Sequence, residues 1–225
     1  MSRRVISNPL ALAVLSCLWE RPMYPYEITT TLRERGKEDS IRLNFGSLYA
    51  VIKSLEKHGF IEEARFEREG NRPERTVYEI TEAGRTETTD WLRELLETPA
   101  KEYPAIEAGL SLMAILPPPE VAELLRTRVA GLTADLEHRA ALAESPEVAG
   151  LPEIFTVEFD YKVALMRAER DFIAAFADRL DRGEVGGQSV WARMHEMLAQ
   201  GRPVDEVQAV LAPHLPEGVG AGNHE

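Results

Sequence analysis

Asn44-Phe45-Gly46-Ser47-Leu48-Tyr49-Ala50-Val51-Ile52-Lys53-Ser54-Leu55-Glu56-Lys57-His58-Gly59-Phe60-Ile61 carries the signals of one short helix from start to stop. Asn44 is placed to cap the free amides of the first turn, and Gly59 stands where a left-handed residue ends a helix. Leu48, Val51, Ile52 and Leu55 fall at i, i+3, i+4 and i+7, a single apolar stripe for burial. Tyr49, Ala50, Lys53 and Lys57 project from the side and back. A helix buried on one side and aromatic and basic on the other suits the major groove of DNA.

The next segment reads as a two-stranded wing. Residues 60–68 and 75–80 have strand character, and Glu69-Gly70-Asn71-Arg72-Pro73-Glu74 is a loop with residues that tolerate positive φ. Thr76, Tyr78 and Ile80 share one face of the returning strand by its period of two. Arg65, Arg68, Arg72 and Arg75 gather around the tip, where guanidinium groups suit contact with phosphate or the minor groove.

Five blocks carry a family resemblance. Arg21-Pro22-Met23-Tyr24-Pro25-Tyr26-Glu27-Ile28, Gly46-Ser47-Leu48-Tyr49, Leu55-Glu56-Lys57-His58-Gly59-Phe60-Ile61, Arg72-Pro73-Glu74-Arg75 and Tyr78-Glu79-Ile80-Thr81-Glu82-Ala83-Gly84 resemble, in order and spacing, the PadR family of transcriptional regulators. The likeness spans residues 10–97, and the helical remainder to residue 183 is similar in layout to the family's variable dimerisation region. The resemblance implies a winged helix-turn-helix domain, a coiled-coil-like arm, homodimerisation, operator binding and repression relieved by a small molecule or stress signal. The candidate DNA contacts are Tyr26, Asn44, Ser47, Tyr49, Lys53, Lys57, Arg68, Arg72 and Arg75, with packing under the wing as the plainer reading of Tyr49. Two positions depart from the pattern. Pro25 replaces the usual glycine of the aromatic turn and fits the first turn of a helix instead, and Glu74 stands where a base is common in the wing.

The fold expected is mainly α with a small antiparallel β wing, in three parts: a winged domain over 1–98, a helical dimerisation and effector domain over 105–183, and a helical tail over 184–225 with a disordered end. Asn8 and Pro9 open the first helix, and a second runs from Pro25 to Arg35. Ile41-Arg42-Leu43 is the expected strand partner of the wing. Thr81 caps a fourth helix with Thr88, Trp91, Leu92, Leu95 and Leu96 on one side, and the hinge follows at residues 98–104.

Beyond the hinge, Ile106 to Leu116 is a short apolar segment, and Pro119 begins a long helix with Val121, Leu125, Val129, Leu132 and Leu136 along a seam. A final long helix over residues 155–182 sets Phe159, Val163, Met166, Arg170, Ile173, Ala177 and Leu180 at alternating steps of four and three. Both long helices have one apolar seam and are expected to pair with each other and with a second subunit, with Phe159, Val163, Met166, Ile173 and Leu180 at the dimer interface. Residues 188–200 and 204–211 suggest two short amphipathic helices that fold back on the arm, cover a pocket or bind another protein. Trp91 and Trp191 are candidate walls of an effector pocket, against the plainer reading of core aromatics.

Charge is divided unevenly. The chain has 225 residues and net charge −12; residues 1–98 carry 15 Lys and Arg against 17 Asp and Glu, and residues 99–225 carry 11 against 21. The winged half is therefore not basic overall, which predicts weak non-specific binding and affinity that depends on a matched site and falls with salt. The apolar run over 10–19 is too short to span a bilayer and fits the first helix better than a signal sequence. A lone cysteine, Cys17, allows no internal disulfide and favours a cytoplasmic, buried thiol. Five scattered histidines, no His-Glu-x-x-His or Cys-x-x-Cys and no phosphate-binding glycine loop argue against an enzyme, and no catalytic residue, metal or cofactor is expected. The partners expected are double-stranded operator DNA, a second copy and a small-molecule effector, and no membrane. The alternative is a winged helix used as a protein-interaction module.

Overall fold

The computed structural model describes residues 4–41, 45–67, 75–146, 148–211 and 213, with backbone alone at 39, 45, 65–67, 75 and 211. The chain divides into two compact units, Met1–Glu102 and Tyr103–Glu225.

In the first unit α1 (Pro9–Glu20) lies at the centre, packed by α2 (Pro25–Glu34), α3 (Phe45–Lys57), α4 (Glu82–Glu97) and the strand β2 (Arg75–Ile80). Its sequence is apolar almost all round because neighbours cover it on several sides. Asn8 Oδ1 accepts from Leu10 N at 3.0 Å and Pro9 fills the first turn, where its missing amide costs nothing. Pro25 opens α2 in the same way.

Helix α3 ends as its sequence predicts. Gly59 adopts φ 72°, Phe60 N donates to Leu55 O at 3.0 Å, and Gly59 N donates to Glu56 O at 2.9 Å. This paired closure uses carbonyls that the end of a helix would otherwise leave bare. The chain then runs directly into β1 (Ile61–Glu67), antiparallel to β2, with Ile61 opposite Ile80 and Glu67 opposite Arg75. The register slips between Glu63 and Arg65, a bulge at Ala64.

A third chain segment does pair with the wing, but it is Met23. Its amide donates to Tyr78 O at 3.0 Å and its carbonyl accepts from Tyr78 N at 2.9 Å. Ile41 is in a bend rather than a strand, and Arg42 and Leu43 lie outside the described residues. Met23 is fully buried, so the bridge fixes the entry to α2 against the wing. Thr81 caps α4, accepting from Gly84 N at 3.0 Å and donating to Gly59 O at 2.7 Å. Only part of α4's expected apolar side is covered: Thr88 and Trp91 are buried, whereas Leu92, Leu95 and Leu96 are exposed.

The second unit is all helical. After α5 (Ala105–Leu112) and a 3-10 turn, α6 (Pro118–Ala143) and α7 (Val157–Asp181) pack along their length. Helix α6 begins at the second of the three prolines, one residue ahead of the sequence expectation. Val121, Leu125 and Leu136 of α6 and Val163, Ile173, Ala177 and Leu180 of α7 are buried. The α7 seam is thus occupied within the chain, by α6.

The tail folds back on this hairpin. Helices α8 (Gln188–Ala199) and α9 (Val204–Leu211) pack on each other, and α8 also meets α6. Trp191 Nε1 donates to Leu116 O at 2.8 Å, His195 Nε2 is 2.9 Å from Ala114 O, and Gln188 Nε2 donates to Leu180 O at 2.7 Å. Among the described residues no helix is long and apolar enough to cross a membrane.

Candidate nucleic-acid interface

The face that Leu48, Val51, Ile52 and Leu55 turn inward determines what α3 offers outward. All four are buried, Leu55 completely, and each anchors the helix by about 1.5–3 kcal/mol. Tyr49, Ala50, Lys53 and Lys57 are exposed, and Ser47 is half-buried at the edge of the stripe. Among the described residues neither Lys53 nor Lys57 has an ion-pair partner. Tyr26, in the first turn of α2, is 61% exposed, and Tyr49 is 52% exposed.

Supporting contacts fix this helix relative to its neighbours. Tyr78, held by Met23, packs against the core below α3, and burial, with the nearby charges of Glu56 and Glu63, raises its phenol above the ordinary range. It therefore stays a neutral, protonated group at the base of the wing. Arg35 makes a two-pronged pair with Glu20, one arm at 2.8 Å, linking the end of α2 to α1. Arg21 pairs with Glu27 in the first turn of α2.

Asn44, Arg68 and Arg72 lie outside the described residues, and of Arg75 only the backbone is described, at the end of β2 opposite Glu67. The described part of the site therefore brings Ser47, Tyr49, Lys53 and Lys57 together on one helix, with Tyr26 on the preceding one. Sequence periodicity gave no sign of the segment Val5–Asn8, which lies beside α3 and lines a groove with Ser47, Ala50, Val51 and Ser54.

The two tryptophans belong to separate cores. Trp91 is 4% exposed, packed in the first unit with the Arg4 guanidinium 5.2 Å from its ring centre. Trp191 is packed in the second unit among Val121, Ala122 and Leu125. Each ring is packed in the core of its own unit. Among the described residues no cluster of His, Cys, Asp or Glu is arranged to hold a metal ion.

A helix-turn-helix with a β wing and a solvent-facing recognition-type helix defines a winged helix-turn-helix protein. Residues 14–90 match the model of the transcriptional regulator PadR-like family. Solved structures agree in fold. Bacillus subtilis PadR in complex with operator DNA is 20% identical, with a TM-score of 0.57 over 78% of this chain and 99% of that one. The same protein in complex with p-coumaric acid matches at 17% identity and TM-score 0.57 with the same coverage. A PadR-like transcriptional regulator of Bacillus cereus matches at 17% identity and TM-score 0.53, again over 78% and 99%. No curated protein sequence matches the chain.

Proposed function

We propose that this protein is a homodimeric, cytoplasmic repressor that binds operator DNA through α3 and leaves it when a small ligand or stress signal acts on the helical unit. The observation that carries the reading is the division of α3: four buried apolar residues hold it in place while Tyr49, Lys53 and Lys57 are exposed on the opposite side. Lys53 and Lys57 neutralise phosphates, Tyr49 and Ser47 reach base edges or sugar, and Arg68, Arg72 and Arg75 of the wing grip the flanking backbone. The operator-bound Bacillus subtilis relative supports this use of the fold.

Dimerisation falls to a different face of α7 from the one the heptad pattern selects. Phe159, Val163, Met166, Ile173 and Leu180 form the seam against α6, with Ile173 1% exposed. Tyr161, Leu165, Ala168 and Phe172 form a second stripe at i, i+4, i+7 and i+11, all exposed. This outer stripe, continued by Ile154 and Phe155, is the surface for a second copy. Two α3 helices then enter successive major grooves about 34 Å apart. A ligand held by the helical unit favours a dimer geometry in which both cannot enter together, as p-coumaric acid bound to the Bacillus subtilis relative suggests for the kind of effector.

Enrichment of duplexes from a random pool on the full-length protein tests the reading. A recovered inverted repeat with half-sites one helical turn apart supports a dimeric DNA reader. Failure to enrich any sequence refutes it.

A further inference from the structure

An open groove of about 390 Å³ runs along one flank of α3, between Ser47, Ala50 and Ser54 on the helix and Val5, Ser7 and Asn8 on the segment leading into α1. It adjoins the proposed recognition face, because Ala50, Lys53 and Lys57 follow one another at i, i+3 and i+7. Its lining is uncharged in a chain with 38 Asp and Glu. Two carboxylates of α4, Glu87 and Glu94, are both bound by Arg4, which immediately precedes the groove wall.

That wall is fixed in place. Arg4 reaches Glu94 at 2.5 Å and stacks over Trp91, Ile6 is buried in the core, and the Asn8 side chain is engaged in capping α1. The groove's offer is therefore not the start of α1, whose first position is a proline without an amide. It is the hydroxyls of Ser7 and Ser54, neither hydrogen-bonded to a described side chain, beside the apolar Val5 and Ala50. Hydroxyl donors, apolar contact and no carboxylate match a phosphodiester strand, whose non-bridging oxygens accept hydrogen bonds and whose deoxyribose is partly apolar.

We propose that this groove seats one backbone strand of the duplex that α3 enters, with Ser7 and Ser54 donating to phosphate oxygens and Val5 and Ala50 against the sugar. The proposal rests on the DNA-binding reading and adds the N-terminal segment to the interface. It makes Val5–Asn8 a sequence-independent contact, because sugar and phosphate are the same in every duplex.

Charge substitution at Val5, which is 72% exposed, tests the groove without disturbing the core. Full-length wild type, Val5→Glu, Val5→Lys and Val5→Ala are titrated against a labelled duplex enriched by the wild type and against an unrelated duplex, with thermal unfolding as a control on folding. Val5→Glu is expected to weaken both duplexes by about tenfold, and Val5→Lys to tighten both and steepen the log–log salt dependence by roughly 0.9. Equal weakening by Glu and Lys would mean steric obstruction and overturn the phosphate seat, as would wild-type binding by both. If the wild type enriches no duplex, the DNA reading and the groove fall together. If it does enrich one and the Val5 variants bind like it, only the groove falls.

Discussion

Gly84 of α4 lies so close to the carbonyl of Phe60 that a Cβ there would stand 2.0 Å from the oxygen and 2.8 Å from Ile80 Cγ1. The contact joins the start of α4 to the turn after α3, where Thr81 N also donates to Phe60 O at 3.1 Å. Replacement by alanine must move backbone, since the nearest atoms are not the ends of flexible side chains. Gly84→Ala is expected to destabilise the winged unit by about 3 kcal/mol, a fall of roughly 12–24 °C in its melting temperature. Calorimetry of the full chain measures it, and an unchanged midpoint would mean that α4 does not approach the α3–β1 turn this closely.

Cys17 is fully buried in α1, and burial pushes its thiol up to about 11. Once unfolded, the thiol ionises near its ordinary value of 9.0. The stability it contributes is therefore complete below about pH 9 and is lost as pH rises toward 11, by at most about 3 kcal/mol. Denaturant titrations at about pH 8 and pH 10.5 are expected to show a decline that Cys17→Ala reduces. A thiol reagent at neutral pH is expected to label the unfolded chain and not the folded one.

The two faces of α7 are separable by mutation. Ile173→Ala removes a completely packed side chain and is expected to cost about 2–5 kcal/mol of stability. Phe172→Glu changes its exposed neighbour, and is expected to leave the fold intact while converting the proposed dimer to a monomer by sedimentation or light scattering. Dissociation by Ile173→Ala with retained stability would place the dimer on the inner seam instead.

The tail acts as part of the second unit. Trp191→Phe removes the donor to Leu116 O while preserving much of the ring volume, and is expected to cost about 1 kcal/mol in that unit's stability. Near-ultraviolet circular dichroism and unfolding midpoints follow the change. No loss would mean that α8 does not dock on the turn before α6.

Much of the winged unit was legible because its signals are local. Asn8-Pro9, Pro25, Thr81 and Gly59 each punctuate a helix by their own stereochemistry, and the Leu48–Leu55 stripe selects the inner face of α3. The Met23 bridge was not legible, since a single paired residue has no period and depends on where α2 places it. The α7 seam and its pairing with α6 were legible, but not which apolar face is left for a second copy. A heptad pattern shows that a face is apolar, not whether α6 or another chain covers it, and α7 has two such faces. Trp191 was legible as helical and amphipathic, but its acceptor is a carbonyl 75 residues earlier in the sequence.

The central claim is that the free face of α3 binds DNA phosphate. A binding titration of the wild type and of Lys53→Ala/Lys57→Ala against an enriched duplex at about 50 and 200 mM salt tests it most directly. Wild-type affinity is expected to fall steeply with salt, and the double variant to bind weakly with a slope shallower by roughly 1.8 per subunit engaged. Equal affinity and equal slope for the two proteins would contradict it.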